Sequence, residues 1–341
     1  MNRTAKTSWY AAQLRQEIGL RGQQWARGRA HVESYGSQPV VVYPPEDGRH
    51  GNFFDASYAA IMARPEWMRR LDKVHAQGAR SLPNAERRWR ELDSSMSSDA
   101  LLMNVFCAPG VADSASVRRA LGVEGDAAPM FGWKACVPLA NGRFDRTEVD
   151  MRLGSLLVEA KLTEGDFQSR ETGIVAAYRD FDVVFERELL PRVVLAPKRR
   201  MEASEFPENY SQEFESLMDA AQGERGMTPV QTANEYASET GARGYASYQL
   251  IRNVLAAYAT ECDFCMVHDE RRPDLREAWF KVMAAMKSAA LRVRLKVMTW
   301  QELAALLPDD LQSFLDLKYG IVAPGRVASP VGDSAELEHG S

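Results

Sequence analysis

The chain has little of what makes many proteins assignable at sight. Its 341 residues hold four cysteines, Cys107, Cys136, Cys262 and Cys265, which is too sparse for a disulfide scaffold and suits a reducing compartment. No apolar run approaches the ~20 residues of a membrane helix. The opening MNRTAKTSWYAAQL has no apolar signal core, so a cytoplasmic protein with no membrane partner is the expectation. A glycine-rich phosphate loop is also missing, which leaves no basis for an ATP motor or a nicotinamide cofactor. The five histidines are scattered, and none can be matched to a Ser or Cys nucleophile. Cys262-x-x-Cys265-x-x-His268 is a lone CxxC, whereas a structural zinc needs four ligands, so buried thiols on a core strand are the better reading. Finally, there is no excess of positive charge. The net charge of −5 does not advertise a nucleic-acid binder.

What is present is an ordinary globular composition, 45% hydrophobic and 26% charged, with one unusual stretch. Residues 148–162 read EVDMRLGSLLVEAKL. Polar Glu148, Asp150 and Arg152 alternate with apolar Val149, Met151 and Leu153, the period of a half-buried strand. Gly154-Ser155 supplies a two-residue turn, with glycine first as a type II′ turn prefers. That turn pairs Leu153 with Leu156 and predicts Asp150 opposite Glu159, with Lys161 further along the same face. Opposed residues have Cβ atoms about 4.5–5.5 Å apart, and like charges there destabilise a sheet. Two facing carboxylates therefore call for a cation. Lys161 is one, and a hard divalent ion such as Mg²⁺ (or Mn²⁺) suits oxygen ligands better. A solvated strand face would also explain the same residues, and on the motif alone both readings stand.

Periodicity outlines the remaining elements. Helices are expected over residues 8–29, from Asp55 to about His75 and on to Asp93, from Ser97 to Phe106, and over Glu208–Ala221. Others follow at Arg243–Tyr258, Leu275–Met286, after the Thr299-x-x-Glu302 capping box, and up to Lys318. Strands are expected at residues 40–43, from Phe131 to Leu139 ahead of an Asn141-Gly142 turn, in the hairpin, at Asp263–His268 and at Arg292–Met298.

This order, with Asp150 on the second strand of a meander and Glu159-Ala160-Lys161 on the third, resembles the PD-(D/E)XK nuclease superfamily, the restriction-endonuclease-like fold. More locally, SSDALLMNVF (97–106), EVDMRLGSLLVEAKLTE (148–164), YQLIRN (248–253) and VMTWQEL (297–303) resemble blocks of a largely uncharacterised bacterial restriction-endonuclease-like family. The resemblance implies an α/β core whose mixed central sheet, an antiparallel meander plus further strands, is flanked by helices. It covers roughly residues 90–320. A mainly helical N-terminal extension (1–90) precedes the nuclease-like domain (91–320), which contains an insertion at about 163–240. A disordered tail (321–341), its Leu-Glu-His ending read as a cloning remnant, follows.

For function, the resemblance implies a metal-dependent nuclease acting on DNA in restriction or defence. A catalytically silent scaffold or DNA-binding member and an RNase are the alternatives, and a homodimer is a further possibility. Asp150 and Glu159 match the metal-binding carboxylates, the Ala160 carbonyl a further ligand, and Lys161 the catalytic lysine. Glu91 is the nearest candidate for an acidic residue from the first helix. Asp99 competes with it, although its place at a helix start suits an N-cap. Gln249 matches a polar residue that reaches the site from the following helix. Val149 stands where the superfamily name has proline. Among the basic clusters, Arg87, Arg88 and Arg90, with Arg252, are the candidates for phosphate contact.

Overall fold

A computed structural model describes residues 9–33, 40–73, 90–195 and 242–329. At its centre is a five-stranded sheet made of β1 (Met130–Lys134), β2 (Glu148–Leu153), β3 (Leu156–Ala160), β4 (Asp263–His268) and β5 (Leu295–Thr299). The strand order is β5-β4-β3-β2-β1. The first three strands form an antiparallel meander, while β4 runs parallel to both β3 and β5. β3 is therefore the middle strand, and all five of its residues are buried. Its near-continuous apolar run, interrupted by Glu159, is what a strand covered on both faces requires.

Two helical layers sandwich the sheet. One face packs Met151, Leu153, Val158, Ala160 and Val267 against α1 (Trp9–Ala26), α2 (Ser98–Phe106) and a C-terminal helix, Asp309–Tyr319, through Leu14, Ile18, Leu102, Phe106 and Phe314. The opposite face packs Leu157, Phe264 and Met266 against α3 (Tyr248–Ala259) and α4 (Pro273–Ala284), through Ile251, Val254, Trp279 and Val282. The C-terminal helix is α5. This is the α/β architecture of a restriction-endonuclease-like core, a mixed sheet flanked by helices.

Several boundaries differ from the sequence expectation. α1 packs into the central core, so residues 9–26 are not separable from the sheet they were expected to precede. The helix from Asp55 ends at Met62, and a short helix restarts at Pro65, whose ring and missing N–H break the ladder. Arg243–Ala246 is a strand rather than helix. It pairs with Ser169–Glu171 and Arg192–Val194 in a small sheet, and Ser247 at φ +60 turns the chain into α3. The strand expected to reach Leu139 stops at Lys134, because Cys136 sits at φ +50 and sends Val137–Pro138 into a separate ribbon with Phe144–Asp145. Ile321 and Ala323 are buried in the core, which corrects the expected start of a disordered tail. The expected helix at 208–221, the rest of the insertion from 196 to 241 and the end of the tail lie outside the described residues.

Candidate active site

Gly154 adopts φ +59 and Ser155 has no positive φ, so glycine supplies the conformation the first turn position demands. The hairpin pairs Leu153 with Leu156, Arg152 with Leu157 and Met151 with Val158. Continuing that register sets Asp150 across from Glu159. The regular pairing, however, stops at Met151. On the other side, β1 pairs with β2 at Phe131–Met151 and Trp133–Val149, and the intervening Gly132, at φ +64, falls beside Asp150. Both strands are wrenched there. Met151 and Leu153 pack in one core layer, while Val149 packs in the other, so the single apolar face expected for all three is corrected. Asp150 thus lies in a gap of the sheet. Its Oδ2 accepts the Ala160 N–H at 2.8 Å, in place of a strand carbonyl.

Glu159 and Lys161 point into the layer beneath α3. Lys161 Nζ lies 2.9 Å from Glu159 Oε1, and Asn253 of α3 donates to Glu159 Oε2 at 2.8 Å. Glu159 and Lys161 are 2% and 5% exposed, so this is a buried ion pair with its remaining acceptor satisfied. Burial lowers the ammonium pKa of Lys161, but Glu159, Glu164 and Asp150 outweigh it and hold the group protonated. The Lys161 backbone is pinned on both sides. Its N–H donates to Val267 O (2.8 Å), and its carbonyl accepts the Trp300 indole N–H (3.0 Å). Arg272, fully buried and paired with Asp274, donates to the carbonyls of Leu162, Glu164 and Gly165 in the loop that follows.

Asp99 lies on the first core helix, whereas Glu91 precedes it. Ser97 is the N-cap, its side chain accepting the Ala100 N–H, so Asp99 is free of the capping role expected of it and is 3% exposed. Glu91 sits on a short 3-10 turn and reaches Lys73 Nζ at 3.1 Å. Lys73 in turn reaches Asp99 Oδ2 at 2.7 Å, and Arg70 reaches the same oxygen at 2.9 Å. Burial would raise the Asp99 carboxyl pKa, but Lys73 and Arg70 hold it low. Asp150 experiences the reverse. Burial, then Glu159, then Asp99 push its pKa well above the usual carboxylate range, against the pull of Lys161 and Lys73.

Gln249 occupies the first turn of α3 with its Oε1 buried and without a hydrogen-bond partner among the described residues. Asn253, one turn on, is the residue that reaches Glu159, and the same helical spacing that singled out Gln249 could have found it. Arg252 is 4% exposed, donating to Glu148 O and to Asn253 Oδ1; it braces the site from within and presents no surface to a phosphate, a correction to its expected role. Arg90 is exposed and lies 3.4 Å from Asp72, whereas Arg87 and Arg88 lie outside the described residues. Of the basic N-terminal residues, Arg15 donates to Thr163 O and Arg21 to Asp316 O, so both serve the core. Cys262 and Cys265 are buried in opposite core layers, which rules out a shared metal.

Asp150, Glu159 and the Ala160 carbonyl could hold a cation. The donors are all oxygens, the choice of a hard divalent ion. Among the described residues no three His, Cys, Asp or Glu side chains converge as a ready-made cage. Mg²⁺ does not need one, since it is commonly held by one or two carboxylates with water and substrate completing the shell. Asp150, whose pKa burial, Glu159 and Asp99 push well above the usual carboxylate range, fits such an ion.

The mixed sheet and its carboxylate-bearing hairpin define a restriction-endonuclease-like protein. The chain belongs to the family described as Restriction Endonuclease associating with ARP, whose model matches residues 20–320. No curated protein and no solved structure matches it. No helix among the described residues is long and apolar enough to cross a membrane.

Proposed function

We propose that this protein is a Mg²⁺- or Mn²⁺-dependent nuclease that hydrolyses DNA phosphodiester bonds, with Asp150, Glu159 and Lys161 as its reactive centre. One observation carries the reading. A buried, hydrogen-bonded Glu159–Lys161 pair stands beside a carboxyl group, Asp150, whose burial and acidic neighbours push its pKa well above the usual range. A fold gains no stability from such an arrangement, so a ligand is the better account of it. When bound, the divalent ion would polarise the scissile phosphate and stabilise the charge that develops on it.

The chain's own groups divide the remaining work. Lys161, paired with Glu159, serves as a hydrogen-bond donor and positive charge toward the phosphate or the attacking water. Asn253 fixes the orientation of Glu159, and Trp300 and Arg272 hold the backbone that carries Lys161. Restriction or defence against foreign DNA is the biological setting that membership of a restriction endonuclease family favours. The family description names an association with ARP, and that association is part of the same proposal.

The test incubates the full chain with plasmid, linear duplex, single-stranded DNA and RNA, with and without Mg²⁺ or Mn²⁺. Metal-dependent DNA cleavage by the wild type, lost in Asp150→Ala and Lys161→Met, is expected. Cleavage of RNA alone would sink the DNA assignment, and cleavage that survives both substitutions would sink the site.

A further inference from the structure

Two cations from a distant segment enter the acidic end of the site, and the sheet is shaped to admit one of them. Gly132 faces Asp150 at φ +64, and a Cβ there would collide with Arg70 Nη1 and stand 3.1 Å from Glu148 Oε2. Arg70 fills the slot that the missing side chain leaves. One terminal nitrogen reaches Glu148 Oε2 at 2.6 Å and the other Asp99 Oδ2 at 2.9 Å. Glycine inside a strand often marks the close approach of another group, and here that group is a guanidinium. Lys73, on the same segment, shares Asp99 Oδ2 and bridges to Glu91. Its side chain is 32% exposed, whereas that of Arg70 is 9% exposed. Both cations are stabilised in part by the Asp150 charge, yet Asp150 forms no direct ion pair among the described residues.

We infer that Arg70 and Lys73 are resident counter-cations of the Asp99–Asp150 end of the site, and that Lys73, held on Asp99, competes by its charge with a divalent ion at Asp150 and is displaced when the ion binds. The inference rests on the metal-site reading above. Arg70 is locked in its slot by two carboxylates and a glycine. Lys73, half-buried at the end of a flexible stem, is the partner that can yield. A metal ion at Asp150 brings two positive charges next to Asp99, and repulsion from an ammonium already on that carboxylate opposes its entry. The N-terminal segment therefore sets the metal affinity of a motif it does not contain.

The experiment titrates Mn²⁺ into the full chain by calorimetry, with no nucleic acid present, and compares wild type, Lys73→Met, Arg69→Met and Asp150→Ala. Arg69 is exposed on the same turn and controls for the loss of one positive charge there. Lys73→Met is expected to bind Mn²⁺ at least about fivefold more tightly than wild type, the scale of removing one nearby unit charge at intermediate dielectric. Arg69→Met is expected to stay within about twofold, since exposed charge is screened. Unchanged or weaker binding by Lys73→Met, or equal tightening by Arg69→Met, overturns the competition while Asp150-dependent binding keeps the metal site. Mn²⁺ bound equally by Asp150→Ala and wild type removes the metal site itself, and the competition with it. If Lys73→Met fails to melt cooperatively, Lys73→Gln is read by the same criteria.

Discussion

The carboxyl group of Asp150 is pushed up in pKa by burial, by Glu159 and by Asp99, so keeping it ionised opposes folding. Asp150→Asn preserves an acceptor for the Ala160 N–H and removes the charge. Thermal melts in chelator should therefore show the variant at or above wild-type stability, by roughly 1 kcal/mol, the scale of relieving a like-charge contact in a sheet. A clear loss of stability would mean that the charge is compensated in the folded state. Lys318 makes a second residue-level case. It is 1% exposed, lies over the rings of Tyr43, Phe314 and Tyr319, and donates to Asn52 O at 2.6 Å. Burial, and then Arg29, lower its pKa well below that of a free lysine. The unfolded chain thus binds this proton more tightly than the folded one, so stability rises with pH from the depressed folded pKa up to that of an ordinary lysine. Lys318→Met should remove that slope. Its melting temperature should exceed the wild-type value most at the acid end of the window, and a constant difference across pH would refute the assignment.

At the scale of elements, several side chains converge on the backbone of the turn out of β3. Arg272 donates to three carbonyls of residues 162–165, Arg15 to the Thr163 carbonyl, and Glu164 accepts from Leu162 N and Ser98 Oγ. Without these partners the buried carbonyls would each carry a desolvation cost. Arg272→Met should destabilise the protein by about 3–5 kcal/mol, as breaking one side of a buried pair does. Hydrogen exchange should quicken first at Leu162 and its neighbours, and protection unchanged there would show that Arg272 does not clamp the loop. The capping box at Thr299 and Glu302 was legible in the sequence because its partners are three residues apart. The clamp was not, because Arg272 and Leu162 meet only across the crossover between β3 and β4.

For the whole molecule, a net charge of −5 must be reconciled with the polyanionic substrate proposed above. Several basic residues are consumed internally, Arg15, Arg21, Arg70, Arg252 and Arg272 among them. Arg90 remains exposed, next in sequence to Glu91 and so close to Lys73 and the site. Arg87 and Arg88 precede it in the sequence. Neutralising Arg87, Arg88 and Arg90 together should weaken binding to every duplex alike. It should also flatten the logarithmic salt dependence by roughly 2–3 units, at about 0.9 per phosphate contact. Fluorescence anisotropy across a salt series would measure both, and an unchanged slope would place the DNA path elsewhere.

The sequence by itself determined the hairpin. Alternation from Glu148 to Leu153 and the Gly154-Ser155 turn are short-range signals, and they set the register that carries Glu159 and Lys161 into one layer. Strand order was legible too, since a meander followed by helix, strand, helix and strand leaves few topologies for a sheet covered on both faces. Tertiary structure alone decided how Asp150 is used. Gly132 lies on another strand, where the pairing with β2 is interrupted beside Asp150, and Arg70 arrives from a separate segment to fill the space at Gly132. The same holds for Asn253 over Gln249. Both residues have the right chemistry, and the choice depends on which one packing brings within about 3 Å of the Glu159 carboxylate, the reach of a hydrogen bond. Local pattern carries periodicity and turn chemistry; it carries no information on contacts closed by packing across a hundred residues.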